Sequence, residues 1–172
     1  MEITRPLNLK RWVESNRHLL KPPVGNKVIY EDGDFIIMVV GGPNKRKDYH
    51  VDPLEEFFYQ LEGDMMLKII DNGKKVDMII KEGEIFLLPK NIPHSPQRFL
   101  NTVGLVVEYK RSKGISDTFQ WYCDKCHNLL HEVKVELEDI VIQLPIIFES
   151  YWESISARTC ESCGEIQEPI DK

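Results

Sequence analysis

The chain has 172 residues, of which 42% are hydrophobic and 29% charged, and its formal net charge is −6 at pH 7. This length and composition exclude a disordered or collagen-like protein and allow a sizeable buried core. No apolar run approaches the roughly 18 residues of a membrane span, and the N-terminal MEITRPLNLKRW lacks secretory-signal features. We therefore expect a cytoplasmic protein with no membrane partner.

The charge is unevenly distributed along the chain. Residues 1–117 carry a net charge of +1, and residues 118–172 carry −7. An acidic C-terminal part repels phosphate backbones, so the sequence predicts no nucleic-acid partner.

The N-terminal two thirds of the chain predict one helix followed by many short strands. Residues 7–19 have Leu9, Trp12 and Val13 at helical spacing. Residues 28–40 predict two strands, residues 56–80 a meander with a tight turn at Asn72-Gly73, and GEIFLLP and TVGLVVEYK two further strands. Short strands at this spacing, without helices between them, indicate a β-barrel or sandwich.

The polar segment 110–117, KRSKGISD, interrupts the strand pattern. There we place a boundary between a β-barrel domain of residues 1–112 and a small lobe of residues 113–172. Residues 133–155 repeat apolar side chains every three or four positions and predict a helix that Pro145 kinks or splits in two. The predicted fold class is mainly β, with a C-terminal lobe that contains helix.

Two histidines and a glutamate are the first candidate metal ligands. Side chains two apart on a strand share a face, so His50, Asp52 and Glu56 can point to one interior while Glu55 points away. His94 lies in a similar β-rich segment. Two imidazoles and one carboxylate leave half the coordination sphere of Fe(II) open. Asp52 is either a fourth ligand or a hydrogen-bonding neighbour of the ligands.

Four cysteines form a second candidate metal site. Cys123 and Cys126 are separated by 33 residues from Cys160 and Cys163. Two such Cys-x-x-Cys turns complete a tetrahedral four-sulfur shell for iron or zinc. A redox disulfide is an alternative interpretation. Haem attachment at CDKCH is disfavoured because it leaves the second pair unexplained.

Two spaced patterns resemble the motifs of the cupin family. They are Gly42-x7-His50-x-Asp52-x3-Glu56-x6-Gly63 and Gly83-x5-Pro89-x-Asn91-x2-His94-x3-Arg98. Asp52 replaces the usual second histidine, Asn91 a glycine and Arg98 an asparagine. The resemblance implies a cupin-type β-barrel or jelly roll with one metal ion inside.

Nearly the whole chain also resembles the 3-hydroxyanthranilate dioxygenase family. The resemblance is carried by LLKPPVGN (19–26), GGPNKRKDYH (41–50), LPKNIPHSPQR (88–98), GLVVEYKR (104–111) and both cysteine pairs. It implies Fe(II) held by His50, Glu56 and His94. It also implies that 3-hydroxyanthranilate and O2 react to 2-amino-3-carboxymuconate semialdehyde, on the kynurenine route to quinolinate and NAD. A homodimer and a structural, rubredoxin-like four-cysteine lobe are implied as well.

The same resemblance implies roles for residues around the metal. Arg98 offers two donors to the substrate carboxylate, and Arg46 stabilises charge on oxygen or shares that carboxylate. Glu108 accepts a proton or a hydrogen bond from the hydroxyl or amino group of the substrate, as Glu56 also can. Arg46 in a solvated basic loop is the alternative interpretation. Two other functions are kept open: a different cupin metalloenzyme, such as a thiol dioxygenase or sugar-phosphate isomerase, and a non-catalytic cupin sensor.

Overall fold

The computed structural model of the chain describes residues 3, 5–22, 25–138 and 140–170. Pro23 and Val24, within one of the family-like stretches, lie outside the described residues. The elements in chain order are α1 (Leu9–Asn16), β1 (Asn26–Tyr30), β2 (Phe35–Gly41), β3 (Asp48–Val51), β4 (Glu56–Glu62), β5 (Met65–Asp71), β6 (Lys74–Ile80), β7 (Ile85–Leu88), β8 (His94–Arg98), β9 (Val103–Tyr109), β10 (Asp117–Tyr122), β11 (Leu129–Val135), α2 (Ile140–Glu153) and α3 (Ile155–Arg158).

The strands form two antiparallel sheets that face each other. One sheet has the order β1-β2-β9-β4-β7 and the other β11-β10-β3-β8-β5-β6. Alternate side chains of β4 and β5 are buried, as expected for strands with one face in a core. The largest core cluster draws Phe58, Leu88 and Val106 from the first sheet and Met65 and Leu67 from the second. The predicted fold class, mainly β and cupin-like with a helix near the C-terminus, is confirmed.

Local signals placed several elements correctly. The predicted N-terminal helix is α1, which begins where the Asn8 side chain accepts a hydrogen bond from the Arg11 amide at 3.0 Å. A 3-10 turn over Arg17–Leu19 follows it. The predicted tight turn joins β5 to β6, with positive φ angles of 47° at Asn72 and 76° at Gly73. These angles are those that an Asn-Gly hairpin favours.

The helix predicted over residues 133–155 is wrong at its start. Val133 and Val135 lie at the end of β11, and α2 begins at Ile140. Val133 and Val135, two apart, share one face of a strand but not of a helix, and their pairing with β10 places them in a strand. Pro145 lies inside α2 and does not split it, so of the two predicted outcomes only the kink stays a prediction. His131 on β11 is half-buried beside Trp121 and Tyr151.

Strands β10 and β11 extend the sheet that contains β3. Residues Thr118–Trp121 pair with Asp48–Val51, so Phe119 lies directly opposite His50. The division into residues 1–112 and 113–172 stays a prediction, but any second lobe shares this sheet with the barrel. Helix α2 packs on the outer part of the sheet through Phe148 and Tyr151. Among the described residues, no helix has the length and apolar content needed to cross a membrane.

Candidate active site

The three predicted metal ligands converge between the two sheets. His50 on β3 lies opposite His94 on β8, and their ring centroids are 5.2 Å apart. Glu56 begins β4 in the other sheet, and it is buried whereas Glu55 is exposed. Each of the three residues offers one ligand atom, and these atoms all lie within 4.8 Å of one another. That spacing allows all three atoms to reach one ion.

His94 and Glu56 lie side by side, and both side chains point to a common centre. Nδ1 of His94 is 3.0 Å from the Ile92 carbonyl, so it carries the proton and leaves the Nε2 lone pair for an ion. Nε2 lies 2.8 Å from Glu56 Oε2. Oε2 is buried without a hydrogen-bond partner among the described residues. An orphaned carboxylate oxygen beside an imidazole nitrogen fits a divalent metal, and two histidines with one carboxylate suit Fe(II).

Glu56 and His94 shift each other's pKa. Burial acts to raise the pKa of Glu56, but the charges of His94, His50 and Arg111 outweigh it and the pKa is lowered. Burial acts to lower the pKa of His94, but Glu56 and the Ile92 carbonyl outweigh it and the pKa is raised. The carboxylate is therefore kept in the ionised form that binds a metal.

The imidazole of His50 is fixed by β10. Its Nε2 lies 2.7 Å from Asp117 Oδ1, and its ring stacks on Phe119 with centroids 5.2 Å apart. Asp117 is fully buried. Burial acts to raise the pKa of Asp117, but hydrogen bonds from His50 and Arg111 outweigh it and the pKa is lowered. An ionised carboxylate thus holds one ring nitrogen and leaves the other free.

Arg98, at the end of β8, is a buried cation without a counter-charge. It is 3% exposed, forms no ion pair with any described residue, and its one side-chain hydrogen bond runs from Nη1 to Gln60 Oε1 at 3.4 Å. Burial lowers its pKa to about 10. Gly104 makes room for it, because a Cβ there would lie 2.7 Å from Nη1. A buried, unpaired guanidinium is a ready site for an anion.

Arg46 lies in a clamped loop rather than a freely solvated one. Its amide donates to Gln97 Oε1 at 3.3 Å and its carbonyl accepts from Gln97 Nε2 at 3.0 Å. Its side chain pairs with Asp48 through Nε and Nη2. Burial acts to lower the pKa of Arg46, but Asp48, Glu56 and Glu108 outweigh it and the pKa is raised. Nη1 has no hydrogen-bond partner within the described chain.

Glu108 on β9 lies directly opposite Glu56 on β4. Burial, with repulsion from Glu56, raises the pKa of Glu108 to about 7, although Arg111 opposes the shift. Arg111 Nη1 donates to Glu108 Oε2 at 2.8 Å.

Asp52 is 2% exposed and accepts from Arg111 Nη2 at 2.5 Å and from the Leu54 amide at 2.8 Å. The carboxylate of Asp52 therefore binds Arg111 and the backbone of its own turn. It groups with His50 and Asp117 rather than with Glu56 and His94.

Sequence reasoning missed Arg111 and Asp117, since both lie in the polar segment interpreted as a domain boundary. The available signal was the two-residue spacing of Asp117 and Phe119 at the start of an unrecognised strand. That spacing places both side chains on the same face of β10, toward His50.

The four cysteines also come together. Cys123 and Cys163 sulfurs are 3.6 Å apart, and those of Cys126 and Cys160 are 3.4 Å apart. The two turns match: the amides of His127 and Gly164 donate to the carbonyls of Cys123 and Cys160, and both residues have positive φ. All four sulfurs lie within 4.8 Å of one another, which fits the tetrahedral shell of zinc or iron.

Comparisons with known proteins point to one family. A family profile described as 3-hydroxyanthranilic acid dioxygenase matches residues 1–152. A relative from Jannaschia sp. (strain CCS1), named 3-hydroxyanthranilate 3,4-dioxygenase, is 56% identical over 92% of this chain and 89% of its own. One of the same name from Lodderomyces elongisporus is 48% identical, covering 96% and 94%.

One solved structure, of a Neisseria meningitidis protein, is also similar. It has a TM-score of 0.50 and 22% identity, and the match covers 62% of this chain and all of the other. This likeness concerns the fold alone.

Proposed function

The chain belongs to the 3-hydroxyanthranilic acid dioxygenase family, and from that premise we propose that it opens the ring of 3-hydroxyanthranilate with O2 at an Fe(II) centre held by His50, Glu56 and His94. Family membership makes the chain an oxygenase enzyme. The metal, the substrate and the roles of individual residues are the content of the proposal. The non-catalytic sensor and the other cupin enzymes considered from the sequence are set aside.

The observation that carries the proposal is the buried, unpaired guanidinium of Arg98 beside the His50–Glu56–His94 cluster. The substrate named in the family is a small aromatic ring with one carboxylate and with adjacent hydroxyl and amino groups. Such a molecule supplies the missing anion to Arg98 and a pair of donor groups to a metal with open positions. The same cation is costly to bury without such a ligand.

The remaining residues divide the work of binding and proton transfer. When bound, Fe(II) supplies the place where the hydroxyl and amino groups of the substrate meet O2 and exchange electrons with it. Arg98 binds the carboxylate and fixes the orientation of the ring. Glu108, with its raised pKa, accepts the hydroxyl proton, and Glu56 is a second acceptor. Nη1 of Arg46 stabilises negative charge that develops on oxygen.

Other parts of the proposal concern the product and the surroundings of the enzyme. We propose 2-amino-3-carboxymuconate semialdehyde as the product, on the kynurenine route to quinolinate and NAD. We also propose that the protein is a homodimer, that it is cytoplasmic, and that the four cysteines bind iron or zinc. The free state of all four thiols and their close grouping support the metal.

The test is oxygen uptake by Fe(II)-loaded protein mixed with 3-hydroxyanthranilate. We expect one O2 consumed per substrate and a ring-opened product detected by mass spectrometry, with activity lost in His94→Ala. Arg98→Met is expected to raise the dissociation constant of the substrate roughly 10- to 100-fold, because a charge-assisted hydrogen bond is lost. Folded, Fe(II)-replete wild-type protein without oxygen uptake would contradict the proposal.

A further inference from the structure

We propose that Arg111 and Asp117 are positioning residues of the active site: Asp117 fixes the imidazole of His50, and Arg111 holds Asp117 together with the carboxylate of Glu108. Neither residue is a metal ligand or a substrate contact in the proposed function, on which this inference rests. Both act through residues that are.

Arg111 uses every donor that a guanidinium has. Nε and Nη2 donate to Asp117 Oδ1 at 3.2 and 2.9 Å. Nη2 also donates to Asp52 Oδ2 at 2.5 Å, and Nη1 donates to Glu108 Oε2 at 2.8 Å and to the Tyr109 carbonyl at 2.9 Å. One planar group therefore fixes the relative positions of β9, the turn before β4 and the start of β10.

The charges around Arg111 show why its guanidinium fixes the positions of the neighbouring carboxylates. Three carboxylates, those of Asp52, Glu108 and Asp117, surround a single guanidinium whose side chain is 12% exposed. Asp52 and Asp117 are almost completely buried. Without Arg111 the three carboxylates would repel one another at short range, and Glu108 would lose the contact that aims its carboxylate.

A second observation links Asp117 to the metal ligand His50. The carboxylate meets the edge of the imidazole at 2.7 Å, while Phe119, two residues along β10, stacks on its face. The two contacts restrict the ring in two directions at once. A histidine whose second nitrogen is held by a carboxylate is the arrangement that orients imidazole ligands toward metals.

Three variants test the inference. Asp117→Asn keeps the shape of the side chain and removes its charge, and Arg111→Lys keeps the charge and removes the planar fork. Arg17→Lys is the matched control, because Arg17 also donates through both Nη atoms to one carboxylate, Glu62, on the protein surface. The measurements are thermal unfolding, the anaerobic dissociation constant of Fe(II) by chelator competition, and kcat and KM at saturating Fe(II).

We expect Asp117→Asn to weaken Fe(II) binding roughly 10-fold. We expect Arg111→Lys to lower kcat roughly 10- to 100-fold even at saturating Fe(II), with a smaller change in KM, because Glu108 is displaced. The control keeps wild-type values. Because all four cysteines are intact in every variant, a difference in Fe(II) affinity reports the His50 site.

Two results overturn the inference. In the first, the variants bind Fe(II) and turn over like Arg17→Lys, and only their melting temperatures fall. Arg111 and Asp117 then have a purely structural role. The other is wild-type protein that binds no Fe(II), which removes the proposed function as well. Wild-type protein that binds Fe(II) but consumes no substrate removes the proposed function alone, and the Fe(II) affinity of Asp117→Asn still decides the role of Asp117. Should Arg111→Lys fail to fold, the near-isosteric Asp117→Asn decides the inference.

Discussion

At the scale of single residues, the candidate site contains two buried charged groups, the guanidinium of Arg98 and the carboxylate of Glu56. Among the described residues, Arg98 has no ion-pair partner and Glu56 Oε2 has no hydrogen-bond donor. Each is costly alone, and each becomes favourable when an anionic ligand and a cation arrive. Such groups are expected to cluster where a protein binds or reacts.

The first prediction concerns the pH dependence of Glu108. As a proton acceptor it works only when ionised, and burial with the nearby Glu56 raises its pKa to about 7. The working form therefore increases as pH rises through this value. We expect kcat/KM to rise roughly 10-fold from pH 6 to pH 7.5, as the deprotonated fraction grows.

Glu108→Gln provides the control, because it removes the titrating group and keeps its shape. The variant should have low activity without this rise. A wild-type profile that is flat between pH 6 and 7.5, or a rise that persists in the variant, would remove Glu108 from the proton-accepting role.

Site residues could be read from the sequence where a strand's two-residue period applied. Counted from His50, that period selected Glu56 over Glu55, and the burial of the two agrees, although a turn between β3 and β4 interrupts the period. It could not reveal that Asp117 meets His50 across 67 positions, because such a contact depends on which strands pair. Nor could the sequence show that Arg46 is oriented by Asp48, since a basic loop reads as solvated.

At the scale of elements, β9 limits the space around the guanidinium of Arg98. Gly104 on β9 lies opposite Gln60 on β4, and a Cβ there would lie 2.7 Å from Arg98 Nη1 and 2.9 Å from Gln60 Oε1. The nearest backbone atom, the Tyr59 carbonyl oxygen, is 3.4 Å away. An added methyl group therefore displaces the guanidinium tip rather than the strand.

The second prediction follows from this crowding. Gly104→Ala should raise the dissociation constant of 3-hydroxyanthranilate about 10-fold, by loss of good geometry in a charge-assisted contact. The free energy of unfolding should change by less than about 1 kcal/mol. Calorimetric titration under anaerobic conditions and thermal unfolding measure the two effects.

Gly33→Ala is the matched control, because nothing lies within 4 Å of an added Cβ at that turn. It should bind substrate as the wild type does. Equal affinities for Gly104→Ala and Gly33→Ala would mean that Arg98 does not contact the substrate.

Elements bounded by strong turn signals were predictable, and those joined only by long-range pairing were not. The Asn72-Gly73 turn and the alternating runs of β4 and β5 specify hairpins locally. Strand β10 follows a polar segment and precedes a cysteine turn, so its sequence carries no such signal. Its place is set by pairing with β3, across about 70 residues of sequence.

At the scale of the whole molecule, the C-terminal part contributes Asp117 and Phe119 to the surroundings of His50 and also holds the four-cysteine cluster. Strand β10 supplies Asp117 at one end and leads into Cys123 at the other. The four-cysteine site therefore anchors the far end of a strand that positions His50. Binding a metal there would contribute folding free energy to this part of the chain.

The third prediction concerns removal of that metal. Cys163→Ser should lose one equivalent of iron or zinc and about 2 kcal/mol of stability, which lowers Tm by roughly 4–8 °C for a chain of this size. Turnover should remain above about half of the wild-type value, because every proposed catalytic group is retained. Metal analysis, calorimetry and oxygen uptake provide the three readouts.

Ser162→Ala is the companion control, since Ser162 lies in the same turn and bonds Asn128 without offering a sulfur. It should keep its metal. Complete loss of turnover in folded Cys163→Ser would assign the cysteine site a role in the reaction itself.

The central claim is that His50, Glu56 and His94 alone bind one Fe(II) ion, leaving its other positions to the substrate and O2. A crystal structure of the Fe(II)-loaded protein, with anomalous differences collected at the iron edge, measures this directly. We expect one iron peak in contact with these three side chains, with the four-cysteine cluster as the second metal position. A peak that is also bound by Asp52 or Asp117, or that lies away from Glu56, would contradict it.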